Sequence, residues 1–163
     1  MSKRILGVDF GGVITDRKKN DGTDTAFKGE NYFQTTPVIN SFESLRELNK
    51  QFEGRVYVVS KCGLYTELKT RKWMSHNGFY DLTGISPTNI HYCRERNEKA
   101  PICRWIGATH FIDDKLEVLG YLDFVPNKFL FSPDDWEIEK NNSHLNLVTR
   151  VESWKELMRL IKI

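Results

Sequence analysis

The stretch "ILGVDFGGVITD", residues 5–16, is an apolar run that ends on an aspartate, Asp9, and passes at once into two glycines. A run with no polar alternation reads as a strand buried on both faces. Gly11 and Gly12 then mark a tight turn at its carboxyl end. A carboxylate at the tip of a buried strand is either a turn residue or a chemical group. The rest of the chain decides between the two.

Downstream, apolar β-rich runs alternate with amphipathic ones. "RILGVDF" (4–10) reads as strand one, and "TPVINSFESLRELNKQFEG" (36–54) as a helix stopped by Gly54. "RVYVVS" (55–60) reads as strand two, followed by a helix over 63–78. "NIHYC" (89–93) reads as strand three, "KAPICRWIG" (99–107) as a short helix and "THFIDD" (109–114) as strand four. "KLEVLGYL" (115–122) adds a helical turn or two, "NKFLFS" (127–132) and "HLNLV" (144–148) read as short late strands, and "VESWKELMRLIKI" (151–163) as a closing amphipathic helix. Such alternation predicts an α/β fold over residues 1–163, a doubly wound, mostly parallel sheet with helices on both faces. The one long aperiodic stretch, residues 16–35, follows strand one, and a loop of that length in a small domain is usually functional.

Composition narrows the classes. The 163 residues suit one domain, and 39 % hydrophobic with 28 % charged residues describes a globular chain. The 24 basic and 22 acidic residues give a net charge of +2, which provides no overall attraction to nucleic acid or membrane. Apolar stretches are strand-sized, no signal-peptide core precedes Asp9, and Cys62, Cys93 and Cys103 show no paired spacing. A cytoplasmic protein with reduced thiols is the expectation.

Ligands in an open α/β sheet gather at the carboxyl ends of the strands. That edge receives Asp9, then Ser60 and Lys61, then Arg94 and Arg96, then Asp113 and Asp114, with Lys99 opening the helix before strand four. Hard carboxylate oxygens suit Mg²⁺, while a hydroxyl, cations and turn N–H groups suit a phosphoryl group. A carboxylate can also attack phosphorus and split one transfer into two steps. Each residue also has a plain structural use. Asp9 could end a strand, Ser60 or the Asp113–Asp114 pair could cap a helix, and Lys99 could be solvated.

This ordered set resembles the haloacid dehalogenase-like superfamily, mostly phosphohydrolases, over about the first two-thirds of the chain. "VDFGGVITD" resembles its first motif, "VYVVSK" its second, the lysine of "NEKAPICRWIG" its third and "HFIDD" its fourth. The resemblance implies Asp9 as nucleophile, Ser60 and Lys99 as phosphoryl clamp, and Mg²⁺ on Asp9, the Gly11 carbonyl, Asp113 and Asp114. It also implies substrate contacts from Gly12, Ser60, Lys61 and Lys99, which the charges of Arg94 and Arg96 extend. A receiver-type signalling domain is set aside because its acidic pair follows the first strand, not the fourth.

The resemblance has one departure. Family phosphatases usually carry a second aspartate two residues after the nucleophile, as general acid and base; here that residue is Gly11. Some active members also have glycine there. Asp16 and the Asp134–Asp135 pair are the substitutes the sequence offers. No insert between the motifs is long enough for a cap domain, so the expectation is an open site shielded by residues 18–33 or by a second copy of the chain. The expected partner is a phosphorylated substrate. Nucleic-acid ends are a narrower version of it, encouraged by Arg94 and Arg96, and a regulatory phosphoryl-binding protein is the alternative to an enzyme. His76, His91, His110 and His144 show no metal spacing, Trp73 and Met74 read as core, and Lys18–Lys19 and Arg71–Lys72 read as solvated charge.

Overall fold

The computed structural model describes residues 2–17, 27 and 29–163. Six strands form one sheet in the order β3-β2-β1-β4-β5-β6, and every neighbouring pair is parallel. They are β1 Leu6–Val8, β2 Val56–Lys61, β3 Ile90–Cys93, β4 His110–Asp113, β5 Asn127–Phe131 and β6 Thr149–Val151. The chain runs outward from β1 to β3 and then returns to the other side of β1. The order therefore reverses between β1 and β4, and a crevice opens at their carboxyl ends.

Strand side chains alternate between two apolar layers, as a period of two requires. Leu6, Val8, Val56, Val58, Ile112, Phe129 and Phe131 join one core, while Val59, Phe111 and Leu130 join the other. Helices α1 (Ser41–Gln51), α2 (Leu64–His76), α3 (Phe79–Thr83) and α7 (Trp154–Leu160) supply Leu45, Leu48, Trp73, Met74, Phe79, Trp154 and Leu157 to the first layer. Helices α4 (Lys99–Ile106) and α5 (Leu116–Gly120) supply Cys103, Leu116, Val118 and Leu119 to the second. Burying each large side chain stabilises by about 1.5–3 kcal/mol. The tryptophans keep their polar handles satisfied: Trp73 Nε1 donates to the Thr35 carbonyl at 3.0 Å and Trp154 Nε1 to that of Val13 at 2.8 Å. Gly7 of β1 is there because Phe111 crosses it, and a Cβ at that position would lie 2.5 Å from the ring.

Four expectations change. The helix expected from residue 36 begins at Ser41, because Pro37 instead bridges Thr15 in an antiparallel contact. "HLNLV" is not a strand: residues 142–147 form a 3₁₀ turn, with Leu145 and Leu147 exposed. The last strand is Thr149–Val151, paired through Phe129↔Thr149, Leu130↔Arg150 and Phe131↔Val151. The final helix consequently starts at Trp154, where the Ser153 hydroxyl accepts the Glu156 N–H at 3.1 Å. Short α3 and α6 (Asp135–Lys140) were not foreseen, since five or six residues are too few to show helical periodicity. The shield expected over residues 18–33, Lys18 and Lys19 included, lies largely outside the described residues. No described helix is long and apolar enough to cross a membrane.

Candidate active site

β1 ends at Val8, and the Asp9 N–H continues the ladder by donating to the Ile112 carbonyl at 2.9 Å. The chain then turns on itself: Ile14 and Thr15 donate to the Phe10 carbonyl at 2.8 and 3.2 Å, and Gly12 donates to Thr15 at 3.0 Å. Gly12 takes a left-handed backbone with φ +80°, and a Cβ there would meet Asp114 Oδ2 at 2.5 Å. Gly11 is not among the residues with positive φ. The turn thus folds back against the tip of β4, bringing residues far apart in sequence to the same point.

Lys99 sits between two acids. It opens α4, which tolerates Pro101 because a proline in the first helical turn forfeits no internal hydrogen bond. Its ammonium lies 2.9 Å from Asp9 Oδ1 and 2.8 Å from Asp113 Oδ2, and the residue is 2 % exposed. Asp113 Oδ1 accepts the Lys115 N–H at 2.9 Å. Asp114 Oδ2 is 3.4 Å from Arg17 and 3.8 Å from Lys115, while its Oδ1 is buried with no hydrogen-bond partner.

Burial and crowding show in the titration of these groups. Burial acts to lower the Lys99 pKa, but the charges of Asp113 and Asp9 outweigh it and push the pKa above its ordinary value. Burial first, and then the charge of Asp9, push the Asp113 carboxyl up to about 6. Burial, Asp9 and Asp113 likewise raise Asp114, and Lys115 and Arg17 only partly offset them. Lys99, Arg17 and Lys115 approach the three carboxylates, yet Asp114 Oδ1 keeps no hydrogen-bond partner. Oxygens of Asp9, Asp113 and Asp114 lie within 4.8 Å of one another, all buried. An all-oxygen, acid-rich cluster with an orphaned Asp114 oxygen fits a hard divalent cation such as Mg²⁺.

A cleft opens over this cluster. Its lining includes Asp9, Gly11, Ser60, Lys61, Arg96, Lys99, Asp114 and Lys115. Ser60 is 5 % exposed at the end of β2, at the same sheet edge as Asp9. Arg96 lines the cleft and is ion-paired to Glu117 and, at 3.8 Å, to Glu137. Arg94 is not brought to the cleft. Its guanidinium spans the Cys62 carbonyl and Glu67, each at 2.9 Å, because the chain turns outward after β3. Gly12 is not brought to it either, since its N–H is committed to Thr15.

None of the three substitute acids, Asp16, Asp134 and Asp135, lines the cleft. Asp16 lines a separate depression with Val38, Ile39 and Ser153. Asp134 precedes α6 and is held by Arg17 at 2.9 Å. Among the described residues the cleft's carboxylates are those of Asp9 and Asp114. The histidines stand elsewhere: His110 is bound between Thr109 and the Lys162 carbonyl, and His91 stacks on Tyr57.

Sequence reasoning missed Arg17, Lys115, Thr66 and Thr70. Lys115 follows the acidic pair directly and lines the cleft. Thr66 and Thr70 stand four residues apart on α2, a spacing that puts them on one helix face. Arg17 had no signal, because its partners Asp114 and Asp134 lie far along the chain, the second 117 residues away.

No family model matches the chain, and no curated protein matches it. Among solved structures the chain is similar to a protein from Burkholderia xenovorans LB400 provisionally described as a haloacid dehalogenase-like hydrolase, with a TM-score of 0.62 at 10 % identity. The match covers 98 % of this chain and 97 % of that one. At such identity the likeness shows a shared fold alone, an α/β Rossmann-like architecture.

Proposed function

We propose that the protein is a Mg²⁺-dependent phosphohydrolase that works through an aspartyl-phosphate on Asp9. The observation that carries this reading is Lys99 held between Asp9 and Asp113 in a cleft that Ser60 also lines, at the edge where the strand order reverses. Asp9, Asp113, Asp114 and the Gly11 carbonyl are the groups that would hold the cation, which when bound offsets the charge of carboxylates and phosphate alike.

A carboxylate oxygen of Asp9 attacks phosphorus, and the bond to the leaving oxygen breaks with its electron pair on that oxygen. Water then attacks phosphorus, releasing phosphate and restoring the carboxylate. Lys99 and Ser60 bind the phosphoryl oxygens, and Lys99 reduces repulsion between Asp9 and an incoming dianion. In phosphoryl transfer, stabilising charge in this way usually accelerates the reaction more than any other single effect. Gly11 supplies no proton, and general acid–base help is typically worth about 10²–10⁴-fold. Turnover should therefore be slow on poor leaving groups.

The same glycine supports a second reading, a regulatory protein that binds a phosphorylated ligand without turning it over. The test is hydrolysis of 4-nitrophenyl phosphate with Mg²⁺, with EDTA, and in Asp9→Asn. Mg²⁺-dependent turnover that vanishes in Asp9→Asn supports the enzyme. No turnover, with Mg²⁺-dependent binding of fluoroberyllate retained, supports the regulator instead. A cytoplasmic setting belongs to this proposal and is supported by three buried, free cysteines.

A further inference from the structure

Arg96 is held in an unusual way for a residue at the mouth of a cleft. It lies in a 3₁₀ turn, Arg96–Glu98, that runs directly into α4, so Arg96 and Lys99 are three residues apart and their side chains fall nearly in line. Nη1 is the nearest atom of Arg96 to both Glu117 and Glu137. Among the described residues Nε and Nη2 make no hydrogen bond, and the residue lines the cleft. The bracing is itself built in. Glu137 is fully buried, and its Oε1 accepts the Glu117 N–H of α5 at 3.1 Å and the Asn141 side chain at 3.4 Å. Glu117 in turn accepts the Tyr121 hydroxyl at 3.0 Å. Neither acid lines the cleft, whereas Lys61 and Lys115 do, and Lys61 is in no ion pair among the described residues.

A guanidinium fixed along one edge presents the other as a preformed fork of N–H donors, a geometry that matches an oxyanion. Lys99 and Ser60 already account for the phosphoryl group. We propose that Arg96, seconded by Lys61, forms a second oxyanion subsite, so that the substrate carries a carboxylate or a further phosphate on its leaving-group side. Glu117 and Glu137 are positioning residues that act through Arg96. The inference rests on the phosphohydrolase reading for its chemistry, but its binding component can be measured without turnover.

The test compares 4-carboxyphenyl phosphate with the neutral isostere 4-carbamoylphenyl phosphate, and adds 1,4-phenylene bisphosphate to separate carboxylate from phosphate recognition. The wild type should favour the charged compounds at least about tenfold in kcat/KM, through KM, an energy in the ordinary range for a charge-assisted hydrogen bond. Arg96→Gln should bring that ratio to near one whatever the absolute rates, and Glu137→Gln should lower it in part. A merely structural Arg96 would change rates or stability but not the ratio. Calorimetry with 4-phosphonobenzoate and 4-phosphonobenzamide gives the same comparison without hydrolysis. Turnover with a ratio near one in the wild type overturns the subsite and leaves the phosphohydrolase standing. A ratio that survives Arg96→Gln overturns the assignment to Arg96. No turnover, but Arg96-dependent preference for phosphonobenzoate, keeps the subsite and overturns the enzyme. Neither turnover nor preference overturns both.

Discussion

Replacing Lys99 by methionine removes one charge while keeping a long, unbranched side chain. The ammonium makes contacts of 2.9 and 2.8 Å with two carboxylates and is 2 % exposed. At an effective dielectric of ~20, each contact is worth roughly 6 kcal/mol of Coulomb energy, much of it offset by the desolvation of all three groups. Leaving a buried partner uncompensated typically costs about 3–5 kcal/mol. The orphaned acids can escape that cost by taking up protons, so the loss must depend on pH. Without Lys99 the folded-state pKa of Asp113 rises further. Native protein then binds more protons than unfolded chain, and stability falls as pH rises through that value. Metal-free Lys99→Met should therefore lose about 3–5 kcal/mol at pH 8 and clearly less at pH 5. Mg²⁺ at about 100 times its Kd should return roughly 2.7 kcal/mol. Urea denaturation followed by tryptophan fluorescence measures all of this, since Trp73 and Trp154 are fully buried. A loss below about 1 kcal/mol at pH 8, or one equal at pH 5 and pH 8, would refute the buried-triad reasoning.

Asp113→Asn should weaken Mg²⁺ binding in calorimetry by more than the ~10–100-fold that outer-sphere partners usually cost; unchanged affinity would remove Asp113 from the cation site. In the metal-free wild type the Asp113 carboxyl titrates near 6, so its stability contribution is present near pH 4 and is lost as pH rises past that value. Relative to Asp113→Asn, the wild type should lose urea resistance over that interval, and Mg²⁺ should flatten the trend. Gly11→Asp meets no left-handed backbone and should raise turnover of alkyl phosphates by up to ~10²–10⁴-fold, with aryl phosphates gaining much less. Gly7→Ala places a methyl 2.5 Å from the Phe111 ring and should lower stability by about 1–3 kcal/mol in the same denaturation assay.

Local pattern was enough for the architecture. The unbroken runs of β1, β2 and β4 and the spacing of Phe42, Leu45 and Leu48 are written in adjacent residues, and burial on both sheet faces demands them. The polar residues at the strand tips were legible for the same reason, because a carboxylate or hydroxyl has no packing role at the end of an apolar strand. Where local pattern was misleading, as in "HLNLV", apolar residues were exposed, and pairing with β5 selected Thr149–Val151 instead. The tertiary structure alone decided which strand-tip residues meet. It set Lys99 between Asp9 and Asp113, and joined Arg17 to Asp114 and Asp134 from the far end of the chain. It also turned Arg94 away toward Glu67 and held Arg96 at the cleft through a buried glutamate. Those outcomes depend on the direction of a side chain after a turn and on charge partners distant in sequence, and neither is encoded in residue type or spacing.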